Sequence, residues 1–356
     1  MRIIIDVGHP GHVHLFRPFA REMQNKGHKI LFTCRQKEFE TELLKAAGFS
    51  YKSFGKHFRS KNGKIWGLVK FNIQMLFTAI KFNPSVFISH GSIYAAQVAW
   101  LLDKKHISLE DSGNMEQIRL YRPFTKVILT PDVLPEELGK KQIRYKGYHE
   151  LAYLHTSNFS PQLNIKQELD LALEDEYCIL RFVSWQATHD VGHQGFSAEQ
   201  KSELIAFILD KGYKVLITSE AKLPIEMQQY QIILHPAQLH YALAAAKIVI
   251  SEGATIASEA GVLGVPTIYV NSIVRSYNED QQRFGTVFNY RSGEGVIDKL
   301  SELLEDKEIN KKTKQGRLEI LKEKIDVTAF LVWFVENYPE SFTIMKENPG
   351  YQERFK

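Results

Sequence analysis

Ile3-Ile4-Ile5-Asp6-Val7, followed at once by Gly8-His9-Pro10-Gly11-His12-Val13-His14, decides how this chain reads. The first five residues form an apolar, β-branched run, which predicts a buried strand. From Val13 to Lys26 the apolar residues recur at helical spacing, and Gly27 supplies the stop. Strand, glycine-bearing turn and helix make the opening unit of a parallel sheet. Ligands collect at the carboxyl ends of such strands, so this turn lies at the functional edge. Gly8 and Gly11 let backbone approach a ligand, and the helix start offers free N–H groups. His12 at that start titrates near neutral pH. A tight turn with His12 as helix cap is the plainer alternative. A metal held by His12 and His14 lacks a third ligand in the sequence, so no metal is expected.

The same unit recurs outward from this stretch. Lys29–Thr33, Val86–Ser89, Ile107–Leu109 and Val127–Thr130 read as short strands separated by helical stretches such as Glu38–Ala47. The alternation weakens after His149, and the polar run Thr156 to Pro161 marks a domain boundary. It restarts with Tyr177–Val183. Lys214–Thr218, Ile232–Leu234, Ile248–Ile250 and Thr267–Val270 are the further strands, and Ser197 with Gln200 forms a capping box. Two parallel sheets covered by helices are the expectation, with limits of 1–155 and 165–325. An aromatic helical segment over 326–356 carries Phe330, Trp333 and Phe334.

Two motifs in the second half match the first turn in kind. Ser251-Glu252-Gly253-Ala254-Thr255 runs from a strand end through small residues into a helix. The N–H groups of Gly253, Ala254 and Thr255 suit a diphosphate. Glu259, one turn in, repels phosphate but suits the two hydroxyls of a ribose. A capped helix with an exposed glutamate is the alternative. The other motif is Arg181-Phe182-Val183-Ser184-Trp185-Gln186-Ala187-Thr188-His189-Asp190. Arg181 at the end of a buried strand calls for an anionic partner, with Ser184 and His189 beside it. His189 and His193 have a zinc-like spacing, but Gly192 and Gly195 disfavour the helix it needs.

Composition narrows the function classes. The 356 residues are 44% hydrophobic and 24% charged, with 45 Lys plus Arg against 41 Asp plus Glu. A net charge of +4 is too small to indicate nucleic acid. The two cysteines, Cys34 and Cys178, sit in apolar runs and read as reduced core thiols of a cytoplasmic protein. No signal peptide or membrane span is expected. Lys52 to Lys70 is basic and aromatic, with Lys56, Arg59 and Lys61 among its cations. It reads as a loop able to meet anionic lipid headgroups or a phosphorylated acceptor, or as a plain solvated loop before the amphipathic run Ile65 to Ile80.

Gly11-His12 resembles the Gly-Gly-His turn of the peptidoglycan N-acetylglucosaminyltransferase. Gly253-Ala254-Thr255 to Glu259, ending Gly264-Val265-Pro266, is similar to the nucleotide segment of that enzyme and of the non-hydrolysing UDP-N-acetylglucosamine 2-epimerases. His9-Pro10-Gly11-His12-Val13-His14-Leu15-Phe16 and Arg181-Phe182 with Trp185, Ala187 and His189 resemble the family called domain of unknown function 354, grouped with GT-B proteins. That resemblance implies an α/β GT-B fold: two Rossmann-like domains across a cleft, with the last helix returning to the first.

It further implies a nucleotide-sugar substrate, a UDP-sugar foremost, with no cofactor. His12 becomes the general base on an acceptor hydroxyl, with Gly11, His14, Lys56, Arg59 and Lys61 on the acceptor or membrane side. Arg181 and the Gly253 turn neutralise the leaving diphosphate, Glu259 holds the ribose, and Asn278 and Gln281 meet the donor sugar. Glu110, in Glu110-Asp111-Ser112-Gly113, matches an acid of the epimerases, although Ser92 stands where they carry another. The activity implied is glycosyl transfer to a cell-surface glycan or lipid-linked acceptor, from the cytoplasm or the inner face of the membrane. Epimerase or hydrolase chemistry and non-catalytic nucleotide-sugar binding are the alternatives.

Overall fold

The computed structural model describes residues 1–36, 38–56, 58, 61–162, 164–183, 195–219, 222–232 and 234–356, with backbone alone at 61, 62, 64 and 65. Two compact units divide the chain: Met1–Asn158 with Lys324–Lys356, and Phe159–Glu323.

The first unit opens with β1 (Arg2–Val7), α1 (Pro10–Asn25), β2 (Lys29–Gln36), α2 (Glu40–Ala46), β3 (Tyr51–Lys56) and α3 (Lys61–Phe82). It continues through β4 (Val86–His90), α4 (Ile93–Leu101), β5 (Lys105–Leu109), α5 (Met115–Tyr121), β6 (Val127–Pro131), β7 (Gln142–Tyr145) and α6 (Leu151–Leu154). Its seven strands are parallel in the order β3-β2-β1-β4-β5-β6-β7. Strand order therefore reverses between β1 and β4, the switch point where α/β sheets bind ligands. Ile3, Ile4, Ile5 and Val7 are fully buried, as a strand covered on both faces requires.

Three local readings change. α1 begins at Pro10, so Gly11 and His12 lie inside its first turn. The cap is His9, whose Nδ1 accepts from the Gly11 N–H at 3.1 Å, and proline suits the first helical position. Residues 51–56, expected as the start of a basic loop, form edge strand β3, and α3 follows from Lys61. Strand β7, which carries Gln142 and Arg144, was not legible as a strand.

The second unit comprises α7 (Ile165–Glu168), β8 (Tyr177–Phe182), α8 (Ala198–Asp210), β9 (Lys214–Ser219), α9 (Leu239–Ala245), β10 (Ile248–Ser251) and α10 (Ala254–Val262). It ends with β11 (Thr267–Val270), α11 (Ser276–Arg283), β12 (Val287–Tyr290), α12 (Val296–Glu305) and α13 (Ile309–Glu323). Its five parallel strands run β12-β11-β10-β8-β9, which puts the switch point between β8 and β10. The Ser197–Gln200 capping box opens α8. The expected strand at 232–234 is absent: Gln231 makes one isolated bridge to Ile217, and residues 232 and 234 are not in a strand.

The tail, α14 (Val327–Glu336) and α15 (Glu340–Glu347), belongs to the first unit. α14 packs on α1 and α6, and the Phe330 ring lies 5.8 Å from Tyr145. Cys34 and Cys178 are buried free thiols. Among the described residues no helix is long and apolar enough to cross a membrane.

Candidate functional site

In the first unit, the carboxyl ends of β1 and β4 and the loops after β5 and β7 bring four side chains together. His12, from the first turn of α1, stacks on His90, the last residue of β4, with centroids 4.5 Å apart. His90 meets His149 edge-on at 5.2 Å. Asp111 lies between the last two: Oδ1 is 2.9 Å from His90 Nε2, and Oδ2 is 2.9 Å from His149 Nδ1.

One carboxylate among three imidazoles fixes where protons sit. Burial works to lower the His90 pKa, but the hydrogen bond and charge of Asp111 outweigh it and push it up to about 9. Burial also opposes the Asp111 charge, yet His149 and His90 hold its carboxyl well below the usual range. His12 is held well below 6.5, first by burial and then by the charge of His90. It is therefore a neutral ring stacked on a charged one. Its Nδ1 accepts the Gly8 N–H at 3.3 Å, so the neutral ring carries its proton on Nε2.

A second layer anchors this edge. Asp6, at the end of β1, is 1% exposed and accepts from Thr33 Oγ1 at 2.7 Å, from Arg35 Nη1 at 2.6 Å, and from Ser92 Oγ. Arg35 is 7% exposed, so the ion pair is buried. The guanidinium packs directly over this turn: a Cβ at Gly8 would stand 2.9 Å from Arg35 Nη2. Tyr145 lies over His149 at 6.3 Å. Tyr145 Oη and His149 Nε2 are buried with no hydrogen-bond partner among the described residues.

The expected residues divide here. Both Glu110 oxygens are engaged, Oε1 by Ser112 N–H at 2.8 Å and Oγ at 2.6 Å, and Oε2 by Tyr121 at 3.0 Å. Glu110 thus fixes the turn, and the acid among the histidines is its neighbour Asp111. His14 is buried, its ring 5.7 Å from Tyr153. Lys56 is exposed at the end of β3, and Gly11 lies beside the His9 cap. Arg59 and the Lys61 side chain lie outside the described residues, as do Ser184 and His189. His90, Asp111 and His149 escaped the sequence reading, because each stands alone in its own segment. Their ligand atoms all lie within 4.8 Å of one another, a donor set that suits a divalent transition metal.

In the second unit, β10 ends in Ser251 and α10 starts at Ala254 with Gly253 as N-cap. The Gly253 N–H is not free as expected: it donates to Ser251 Oγ at 3.0 Å. No side chain caps α10, so the N–H groups of Ala254 and Thr255 head its first turn. Arg181 lies alongside, its Cγ 3.6 Å from where a Gly253 Cβ would be. Glu259 is buried, not exposed, and its Oε1 is 2.9 Å from His240 Nε2 of α9. Asn278 and Gln281 are fully buried and join α11 to α10, through Ala254 O at 3.3 Å and Ser258 Oγ at 2.7 Å. That placement gives both a role in helix packing.

Glu252, unremarked in the sequence, is fully buried and accepts from Val183 N–H at 2.9 Å and Phe196 N–H at 2.8 Å. It ties together the two ends of the segment that carries Ser184 and His189. Beside it a hollow of ≈ 210 Å³ is lined by residues including Phe182, Val183, Lys201 and Lys222.

Several solved structures are similar to this chain in fold. A UDP-GlcNAc 2-epimerase from Neisseria meningitidis, bound to UDP-GlcNAc, is 13% identical with a TM-score of 0.64, covering 94% of this chain and 99% of that one. A Methanocaldococcus jannaschii UDP-GlcNAc 2-epimerase in complex with UDP-GlcNAc and UDP is 12% identical with a TM-score of 0.62, covering 90% and 98%. The spinosyn rhamnosyltransferase SpnG is 16% identical with a TM-score of 0.61, covering 95% and 100%. At such identities the likeness shows the fold, which is GT-B. No curated protein sequence matches the chain. The family model described as protein of unknown function (DUF354) matches residues 1–313, and the chain belongs to that family.

Proposed function

We propose that this protein is a GT-B glycosyltransferase that takes a sugar from a nucleoside-diphosphate donor, a UDP-sugar foremost, and passes it to a glycan or lipid-linked acceptor of the cell envelope. The observation that carries the reading is the edge of the second sheet. There an uncapped helix start lies beside Arg181, and a buried glutamate follows one turn into the helix. The uncapped N–H groups and the guanidinium suit a diphosphate, and the carboxylate suits ribose hydroxyls. In the first unit His12 takes the acceptor's proton on Nε2, in the tautomer that carries its own proton on Nδ1 and gives up the long 3.3 Å hydrogen bond from the Gly8 N–H, with no metal in the step. The protein works in the cytoplasm, at the inner face of the membrane.

His12 is the ring to test. His12→Ala is expected to keep the thermal shift given by a UDP-sugar and to lose transfer. Full activity in that variant removes His12 from the chemistry. His12→Asn keeps a donor but not a titratable ring, so activity in it would reassign His12 to hydrogen bonding. The second reading, a UDP-sugar 2-epimerase or hydrolase, is favoured by the acid among the imidazoles. Epimer or free UDP formed from donor alone, without acceptor, decides for it. No thermal shift with any nucleoside-diphosphate sugar would leave a protein without a donor site.

A further inference from the structure

α3 is apolar on two sides and buries only one. Its inner side gives Phe71, Met75 and Ala79 to the core beneath the sheet. On the outer side Trp66, Val69, Ile73, Phe77 and Ile80 are 62, 48, 48, 68 and 59% exposed. Steps of three and four residues keep all five within an arc of about 80° at about 100° per residue. They form one continuous stripe in the open. α4 is joined to α3 by the Asn72–Gln97 hydrogen bond of 2.9 Å, and it leaves Trp100 and Leu101 about as exposed, at 59 and 61%. Solvent-facing apolar patches of this extent mark a surface that is covered in use.

We propose that the outward face of α3 seats the first unit on an anionic lipid bilayer. Charge chooses this occupant over a second copy of the chain. α3 and α4 contain no Asp or Glu, while α3 carries Lys70 and Lys81, and Asp103, Lys104 and Lys105 follow α4 with a net single positive charge. A two-fold contact through this face would set lysine against lysine, with no acid on either helix to pair them. A bilayer surface bearing negative headgroups supplies those partners. Trp66, Phe77 and Trp100 are the ring types that rest at headgroup depth. α3 lies flat there: no described helix is apolar enough to cross. The surface makes specific the membrane-side part of the function above. It does not depend on the transfer chemistry, since vesicle binding is read without any donor sugar.

The test is flotation of the full chain with phosphatidylcholine vesicles, with and without phosphatidylglycerol. The protein is expected to float with phosphatidylglycerol vesicles and to be partly released by salt. Ile73→Ser with Phe77→Ser should weaken that partition at least about tenfold. Lys70→Glu with Lys81→Glu should do so only where phosphatidylglycerol is present. Ile225→Ser, at an 85% exposed site in the second unit, should float unchanged. Because these side chains are exposed, the variants should melt as the parent does, which separates lost docking from lost folding. Failure of the parent to float overturns the proposal, as does flotation of the Ile73/Phe77 variant at the parent's level. A dimer in sedimentation velocity that this variant disperses, without vesicle binding by the parent, overturns it in favour of a second copy.

Discussion

Asp111→Asn tests the electrostatic design of the first unit. Asp111 touches both His90 and His149 at 2.9 Å, and its charge overcomes burial to carry His90 up to about 9. His90 therefore binds its proton more tightly in the folded chain than at its ordinary 6.5. Such a group stabilises the fold fully below pH 6.5, and the contribution is lost as pH rises through about 9. The interval corresponds to about 3 kcal/mol. The neighbours act in other windows. His12, held low, makes the fold less stable as pH falls below 6.5, and Asp111 does so as pH falls through the carboxylate range. Between 6.5 and 9, of these three groups, only His90 contributes. Urea unfolding across that range should show stability falling in the parent. In Asp111→Asn the fall should vanish, because a neutral amide cannot offset the burial that lowers His90. Imidazole nitrogen shifts should show His90 charged at neutral pH in the parent and neutral in the variant. Equal pH slopes in the two proteins, or a neutral His90 ring in the parent at neutral pH, would refute the argument.

Other outcomes follow from single contacts. Gly8→Ala puts a Cβ 2.9 Å from Arg35 Nη2, and should displace the guanidinium from Asp6. Breaking a buried pair predicts a loss of about 3 kcal/mol in urea unfolding, and an unchanged midpoint would contradict it. Glu252→Gln replaces the carboxylate that holds the Val183 and Phe196 N–H groups. It should lower stability by about 1–3 kcal/mol and shrink the thermal shift from a UDP-sugar; parental values for both would remove Glu252 from the donor site. His90, Asp111 and His149 bring their ligand atoms within 4.8 Å of one another. The proposed transfer uses no metal, so chelation is expected to leave it unchanged, and activity lost to chelator and restored by zinc would reverse that.

The fold class is legible in the sequence, because strands buried on both faces are apolar runs and need no partner to be seen. Two edge strands of the first sheet escape the sequence: β3 carries the exposed Lys52 and Lys56, and β7 carries Gln142 and Arg144, polar residues whose side chains bond to Thr130, Leu134 and Glu136. It also singled out His12 and the Gly253 turn, whose meaning lies in contiguous residues. Tertiary structure decided the rest. The sequence marked α3 as helical but not which side is covered, because both sides are apolar. It sets Asp111 beside Glu110, but does not show that Glu110 is tied off while Asp111 faces histidines. That choice depends on which loops meet. His12, His90, Asp111 and His149 come from four separate segments, and only the crossover that sets β4 beside β1 brings their strand ends to one edge. Strand order is set by pairing over long sequence separations, which no local pattern records.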